Sequence, residues 1–199
     1  MKKIASLYQR NYEGDRLLRD EVVPGSELVL AGEGIATVKI DGTCCLVKNG
    51  VLYRRYDAKH GKIPPAGFIP AQPAADPVTG HWPGWLVVGE GAGDQYHREA
   101  WDALVIEHGD TGTIPTDGTY ELVGPKVQGN PYGYSEHCLL KHGALLWAGV
   151  PTGFAELRDF LRCSNIEGIV WWRDIGDPDC DKVKVKRKDF GFPFPVLEK

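Results

Sequence analysis

The 199-residue sequence predicts an α+β fold dominated by antiparallel sheet. Three observations predict it. Short β-rich runs punctuated by glycine fill residues 27–56, two later segments carry helical spacing, and a Lys/Val alternation marks a strand near residue 184.

Taken in order, ELVLA (27–31), ATVKID (36–41), TCCLVK (43–48) and VLYRRY (51–56) read as strands. Asn49-Gly50 between the last two is a strong hairpin signal. Residues 60–84, rich in Pro and Gly, read as a long loop. A short helix is expected over 97–105, and TYELVG (119–124) is a strand entering a Gly/Pro/Asn turn. Residues 152–163 read as a helix with Thr152 as its cap and one apolar face of Phe154, Leu157, Phe160 and Leu161. EGIVWW (167–172) and KVKVK (182–186) complete the strands.

Composition bounds the function. Hydrophobic residues make up 42% and charged residues 25%, enough for a real core in one domain spanning 1–199. The net charge of -4 argues against non-specific coating of nucleic acid, yet the segment Asp181–Asp189 alone carries +3. No apolar run approaches the ~18 residues of a membrane span. The start, MKKIAS, opens like a secretion signal, but Tyr8–Asn11 interrupt it, so a cytoplasmic protein without a membrane partner is expected. Five cysteines in an odd count without a CxxC pair predict reduced, mostly buried thiols. The six histidines show no HxH or HxxxH spacing.

Several side chains are unusual for their positions. Strand alternation sets Lys39 and Asp41 opposite Val38 and Ile40, so a lysine enters the Gly42 turn from the inner face. Such an amine becomes a nucleophile only when desolvated or set beside other cations; otherwise it is a solvated strand lysine. Lys182, Lys184 and Lys186 share one strand face, which calls for an anion such as a triphosphate or nucleic-acid backbone, or else marks a protected edge. Glu121 and Glu167 adjoin apolar strands, where a carboxylate needs a cation, a hydroxyl or water. Trp82, Trp85, Trp171 and Trp172 are read as core or loop anchors rather than base-stacking platforms.

The order KIDGT, Arg55, YELVG, EGIVWW, KVK resembles the motif series of the covalent nucleotidyltransferases: DNA ligases, RNA ligases and mRNA capping enzymes. With YRRYDAK, GHWPGW, YELVGPKVQGNPYG and VKVKRKDFG added, residues 36–195 resemble the family of small 5′-to-3′ RNA ligases. The resemblance implies a nucleotidyltransferase fold, an ATP-grasp-like adenylation domain with antiparallel sheets and a few helices. The nucleotide would lie in a groove between the sheets. Only 13 residues, 187–199, follow the last motif, so no OB domain is expected.

It further implies that Lys39 attacks the α-phosphate of ATP and carries AMP, which passes to an RNA 5′-phosphate for attack by a 3′-hydroxyl. Lys184 and Lys186 would neutralise the α-phosphate. Arg55 would touch ribose or 5′-phosphate, and Val170 or Ile169 would pack on adenine. Glu121 would bind ribose or metal-bound water, and Glu167 a Mg²⁺ or Mn²⁺ ion. His142 would stack on or hydrogen-bond the nucleotide. With part of the basic segment committed to the nucleotide phosphates, Arg187 and Lys188 are left as the expected RNA contacts. A monomer acting on RNA with 5′-phosphate and 3′-hydroxyl ends is expected. The competing readings are adenylylation of a non-RNA target, a DNA ligase, and a non-catalytic module that binds RNA ends.

Overall fold

The computed structural model describes residues 1, 3–77, 79–177 and 179–196. Parts of the signal-like start, the 60–84 loop, the 1–199 domain and the 187–199 tail lie outside the described residues. In chain order the strands are β1 (Ala5–Ser6), β2 (Tyr8–Arg10), β3 (Leu18–Val22), β4 (Ile35–Lys39), β5 (Thr43–Lys48), β6 (Val51–Ala58), β7 (Ile69–Pro70) and β8 (Trp82–Val87). Helix α1 (Gln95–Asp110), strands β9 (Gly118–Val123) and β10 (Cys138–Lys141), helix α2 (Phe154–Cys163), and strands β11 (Gly168–Trp172) and β12 (Lys182–Lys186) follow. The fold is α+β with mostly antiparallel pairing, as the sequence predicts. The pairing of β1 with β12 is parallel.

The chain forms two compact units, Met1–Lys3 with Asp41–His142 and Ile4–Ile40 with Gly143–Lys199. The first is a six-stranded sheet in the order β10-β9-β5-β6-β8-β7. Directly paired residues of antiparallel strands share a face. One face presents Cys45, Val47, Leu52, Tyr120, Leu122 and Leu139, and α1 covers it with Ala100, Trp101 and Leu104. The opposite face carries Cys44, Arg55 and Glu121. Asn49 and Gly50 adopt φ 52° and 73°, the left-handed pair that a two-residue hairpin turn requires.

The second unit is a four-stranded sheet in the order β1-β12-β11-β4 with the β2–β3 ribbon beside it. Leu157 and Leu161 of α2 pack on Ile169, Trp171, Val183 and Val185, with Leu7, Tyr8 and Val29 closing the core. The other face of this sheet holds the lysines.

Four local expectations are corrected. ELVLA is not a strand: short-range bonds Ala31 N to Glu27 O and Gly32 N to Val29 O, both 3.1 Å, close it into turns while Leu28 and Val29 enter the core. The helix expected over 97–105 is α1, with several polar residues between its core contacts hiding its full length. Gly153, not Thr152, caps α2, without a side-chain bond. The thiols are not mostly buried: of the five only Cys45 is, because alternation along β5 turns Cys44 to the opposite face. Trp85, Trp171 and Trp172 are buried, consistent with anchoring. Among the described residues, no helix is long and apolar enough to cross a membrane.

Candidate active site

In the second unit, the register places Lys39 opposite Gly168, which in turn faces Lys186; Thr37, Val170 and Lys184 form the next row. Lys39, Val170, Lys184 and Lys186 therefore occupy one face, and Ile169 lies in the core on the other. That decides which of the two neighbours shares a surface with Lys39. Close approach of the strands requires Gly168: an added Cβ would overlap the carbonyl oxygen of Val185 and come within 2.9 Å of the Lys186 Cα.

Glu167, only 4% exposed, sits just before β11 and receives Lys39 Nζ at 2.5 Å from its Oε2. Lys39 Nζ also donates to the Ile40 carbonyl at 3.3 Å. Burial first, and then the Lys188 and Lys184 charges, push the Lys186 amine down to about 8, against the opposing pull of Glu167. Asp189 accepts the Lys186 backbone N–H at 3.2 Å and pairs with Arg10.

Two expectations about the basic segment change here. Lys182 is buried, its ammonium 4.4 Å from the Trp172 ring centroid, so the three lysines expected to share one anion-facing or edge-protecting surface do not share one environment. Arg187 is also buried: its guanidinium donates to the carbonyls of Leu161, Ser164 and Pro193. It ties the end of α2 to the segment after β12 and is not presented to RNA. Lys188 is exposed.

In the first unit, Glu121 on β9 is 8% exposed. Its Oε1 accepts the Gly42 N–H at 3.0 Å and its Oε2 lies 2.7 Å from His142 Nε2. The other ring nitrogen of His142, Nδ1, lies 2.9 Å from Thr119 Oγ1. An added Cβ at Gly42 would overlap the Leu122 carbonyl and come within 2.8 Å of the Glu121 Cγ, which accounts for glycine in KIDG. Tyr132, within GNPYG, accepts the Asp41 N–H on its hydroxyl at 2.6 Å. Sequence reasoning noted the GNPYG string but assigned Tyr132 nothing; it braces the KIDG turn.

Arg55 lies on the same sheet face as Glu121, with Trp85 as its cross-strand partner. Its guanidinium stacks 5.0 Å from the Trp85 ring centroid and donates to the Met1 carbonyl at 2.9 Å. It also lines a recess of about 200 Å³ with Lys3, Asp57 and His81. Arg54 points the other way, 2.9 Å from Asp94 at the start of α1.

A family model described as RNA ligase 1 matches residues 70–199. RNA ligase 1 of Mus musculus is 30% identical over 231 residues, covering 81% of this chain and 68% of that protein. The chain belongs to the RNA ligase 1 family. RNA ligase 1 of Rattus norvegicus is 31% identical, with 69% of its length covered, and that of Danio rerio is 28% identical, again with 69% covered. The segment matched by the RNA ligase 1 model contains Glu121, His142, Glu167, Val170, Lys184 and Lys186; Lys39 and Arg55 precede it.

Proposed function

We propose that this chain is an ATP-dependent RNA ligase that joins 5′-phosphate to 3′-hydroxyl ends through a covalent adenylate on Lys39, and that both units belong to one nucleotidyltransferase domain over residues 1–199. The observation that carries the reading is the Lys39–Glu167 ion pair on a sheet face that also bears Lys184 and Lys186, in a member of the RNA ligase 1 family.

An ammonium cannot attack phosphorus. The Lys39 proton leaves by way of Glu167 Oε2, 2.5 Å from Nζ, and passes on to solvent, so that Glu167 is again an ionised carboxylate. The freed lone pair forms the N–P bond to the α-phosphorus of ATP as the P–O bond to pyrophosphate breaks. Lys184 and Lys186 offset the charge that develops on the α-phosphoryl oxygens, the kind of electrostatic stabilisation worth about 10²-fold or more per donor. Val170 offers an apolar surface to adenine, and Glu121 and Arg55 hold ribose or the RNA 5′-phosphate. An RNA 5′-phosphate oxygen then displaces Lys39 from phosphorus as a proton from solvent returns to Nζ, giving an RNA-adenylate and regenerating the amine. The 3′-hydroxyl oxygen attacks the 5′-phosphorus, AMP leaves, and the hydroxyl proton passes to solvent.

The donor chemistry fits a hard cation at Glu167, whose carboxylate oxygens are the ligand type that Mg²⁺ and Mn²⁺ take. An ion held there would supply positive charge to offset that of the nucleotide phosphates.

Incubation with ATP and Mg²⁺ or Mn²⁺, followed by intact-mass and peptide mapping, tests the first step. A single AMP adduct on Lys39 is expected. No adduct under either metal, or one elsewhere, rejects the assignment. Supplying 5′-phosphorylated RNA then separates a ligase from an enzyme that adenylylates another acceptor.

A further inference from the structure

We infer that Cys44, Glu121 and His142 form a binding site for a thiophilic divalent cation of the zinc type, distinct in chemistry from the carboxylate at Glu167. Among the described residues these three alone bring ligand atoms of Cys, His or a carboxylate together as a group, all within 4.8 Å of one another. Zinc takes mixed sulfur, nitrogen and oxygen donors at about 2.0–2.3 Å in tetrahedral array, so small side-chain movements would converge these atoms on one ion. Mg²⁺ needs oxygen ligands and is a poor match for a thiol and an imidazole.

The sheet builds the site. Cys44 and Glu121 are direct cross-strand partners of β5 and β9, so both side chains leave the same face. His142 follows β10, its backbone N–H bonded to the Thr119 carbonyl at 3.0 Å. Its Nδ1 meets Thr119 Oγ1, which turns Nε2 towards Glu121. A metal-bound imidazole is held by its second nitrogen in this way, and Thr119 is the positioning residue. Glu121 is oriented in turn by the Gly42 N–H. With three protein ligands, a fourth position is left for water or an incoming anion.

One consequence rests on the function proposed above. If Glu121 holds the nucleotide ribose, a zinc-type ion bound to it competes with nucleotide, and such ions inhibit adenylylation.

The test of the site itself does not require activity. Co²⁺ is added to the whole protein and the thiolate-to-cobalt charge-transfer band is followed, then competed with Zn²⁺. The band should appear with one equivalent, vanish on Zn²⁺ addition, and be absent in Cys44→Ser, whose melting temperature without metal stays near the parent value, and in His142→Ala, which loses its bond to the buried Glu121 and is measured below its lower melting temperature. Thr119→Val should weaken metal affinity by roughly 10- to 100-fold. Absence of the band in the parent protein, or its persistence in Cys44→Ser, overturns the site. Zn²⁺ inhibition that Cys44→Ser relieves supports the competition. Binding without inhibition supports the site while counting against the nucleotide role of Glu121.

Discussion

The Lys39 ammonium lies 2.5 Å from a carboxylate oxygen of Glu167, and Glu167 is almost entirely shielded from water. A solvated strand lysine would contribute little to stability. The pairing gives it a second role. Removing Lys39 leaves a buried carboxylate without this cation, which costs on the order of 1–3 kcal/mol. Lys39→Ala should therefore lower the urea midpoint, and Lys39→Ala/Glu167→Gln should recover most of the loss. An unchanged midpoint in the single variant contradicts the pairing. Both variants should fail to take up AMP.

Gly42 and Gly168 are required by packing. Each faces a backbone carbonyl that an added Cβ would overlap, Leu122 for Gly42 and Val185 for Gly168. Backbone gives way less easily than a flexible side chain, so Ala at either position should destabilise by about 1–3 kcal/mol. Gly50→Ala is a useful contrast: its added Cβ meets nothing nearby, and the cost there comes from its φ of 73° alone. Calorimetric melting of the three variants checks this, and a Gly168→Ala protein as stable as the parent would falsify it.

How much of this was legible beforehand differs between elements. The β5–β6 hairpin was, because Asn-Gly fixes its turn and the flanking runs fix its register. The lysine face of β12 was, because alternation is a local rule. The Glu167 partner of Lys39 was not: the two are 128 positions apart, and strand pairing alone brings them together. Burial of Arg187 was equally invisible, since a K/R-rich run reads as solvated until α2 supplies carbonyls to one of its members. ELVLA misled because β-branched and leucine-rich composition cannot distinguish a strand from a core-inserted turn. Cys44 was overlooked in KIDGTCC because Glu121 and His142 lie far along the chain, and only the pairing of β5 with β9 and the return of β10 bring them to it.

Lys186 should make nucleotide binding pH-dependent. Its amine is pushed down to about 8, mainly by burial and then by Lys188 and Lys184. The unfolded chain, with an ordinary lysine near 10.4, binds more protons above that point, so stability should rise as pH increases from about 8 towards 10. The burial cost is present below that window and is relieved through it. A polyphosphate placed against Lys186 favours its charged form and raises its proton affinity. ATP binding near pH 8 should then take up protons, visible in calorimetry as a heat that varies with buffer ionisation enthalpy. Lys186→Met should remove the uptake and flatten the stability gain. A buffer-independent heat in the parent protein argues that no phosphate approaches Lys186.

Arg187 and Lys188 are adjacent in sequence but should behave as opposites. Arg187 holds three backbone carbonyls from within the second unit, so Arg187→Ala leaves buried acceptors without their donor and should destabilise by about 1–3 kcal/mol. Its effect on RNA affinity in the surviving folded fraction should be small. Lys188 is exposed and has no such structural task, so Lys188→Ala should leave the melting temperature unchanged. If Lys188 neutralises one phosphate of a bound strand, its loss lowers the slope of log affinity against log salt by about 0.7, the single-strand value per contact. Titrations of a 5′-phosphorylated RNA at several salt concentrations measure that slope. The net charge of -4 makes total affinity modest, so low salt is the informative range. A slope identical in Lys188→Ala and parent would remove Lys188 from the interface, and a weakened slope in Arg187→Ala at full folding would return that residue to it.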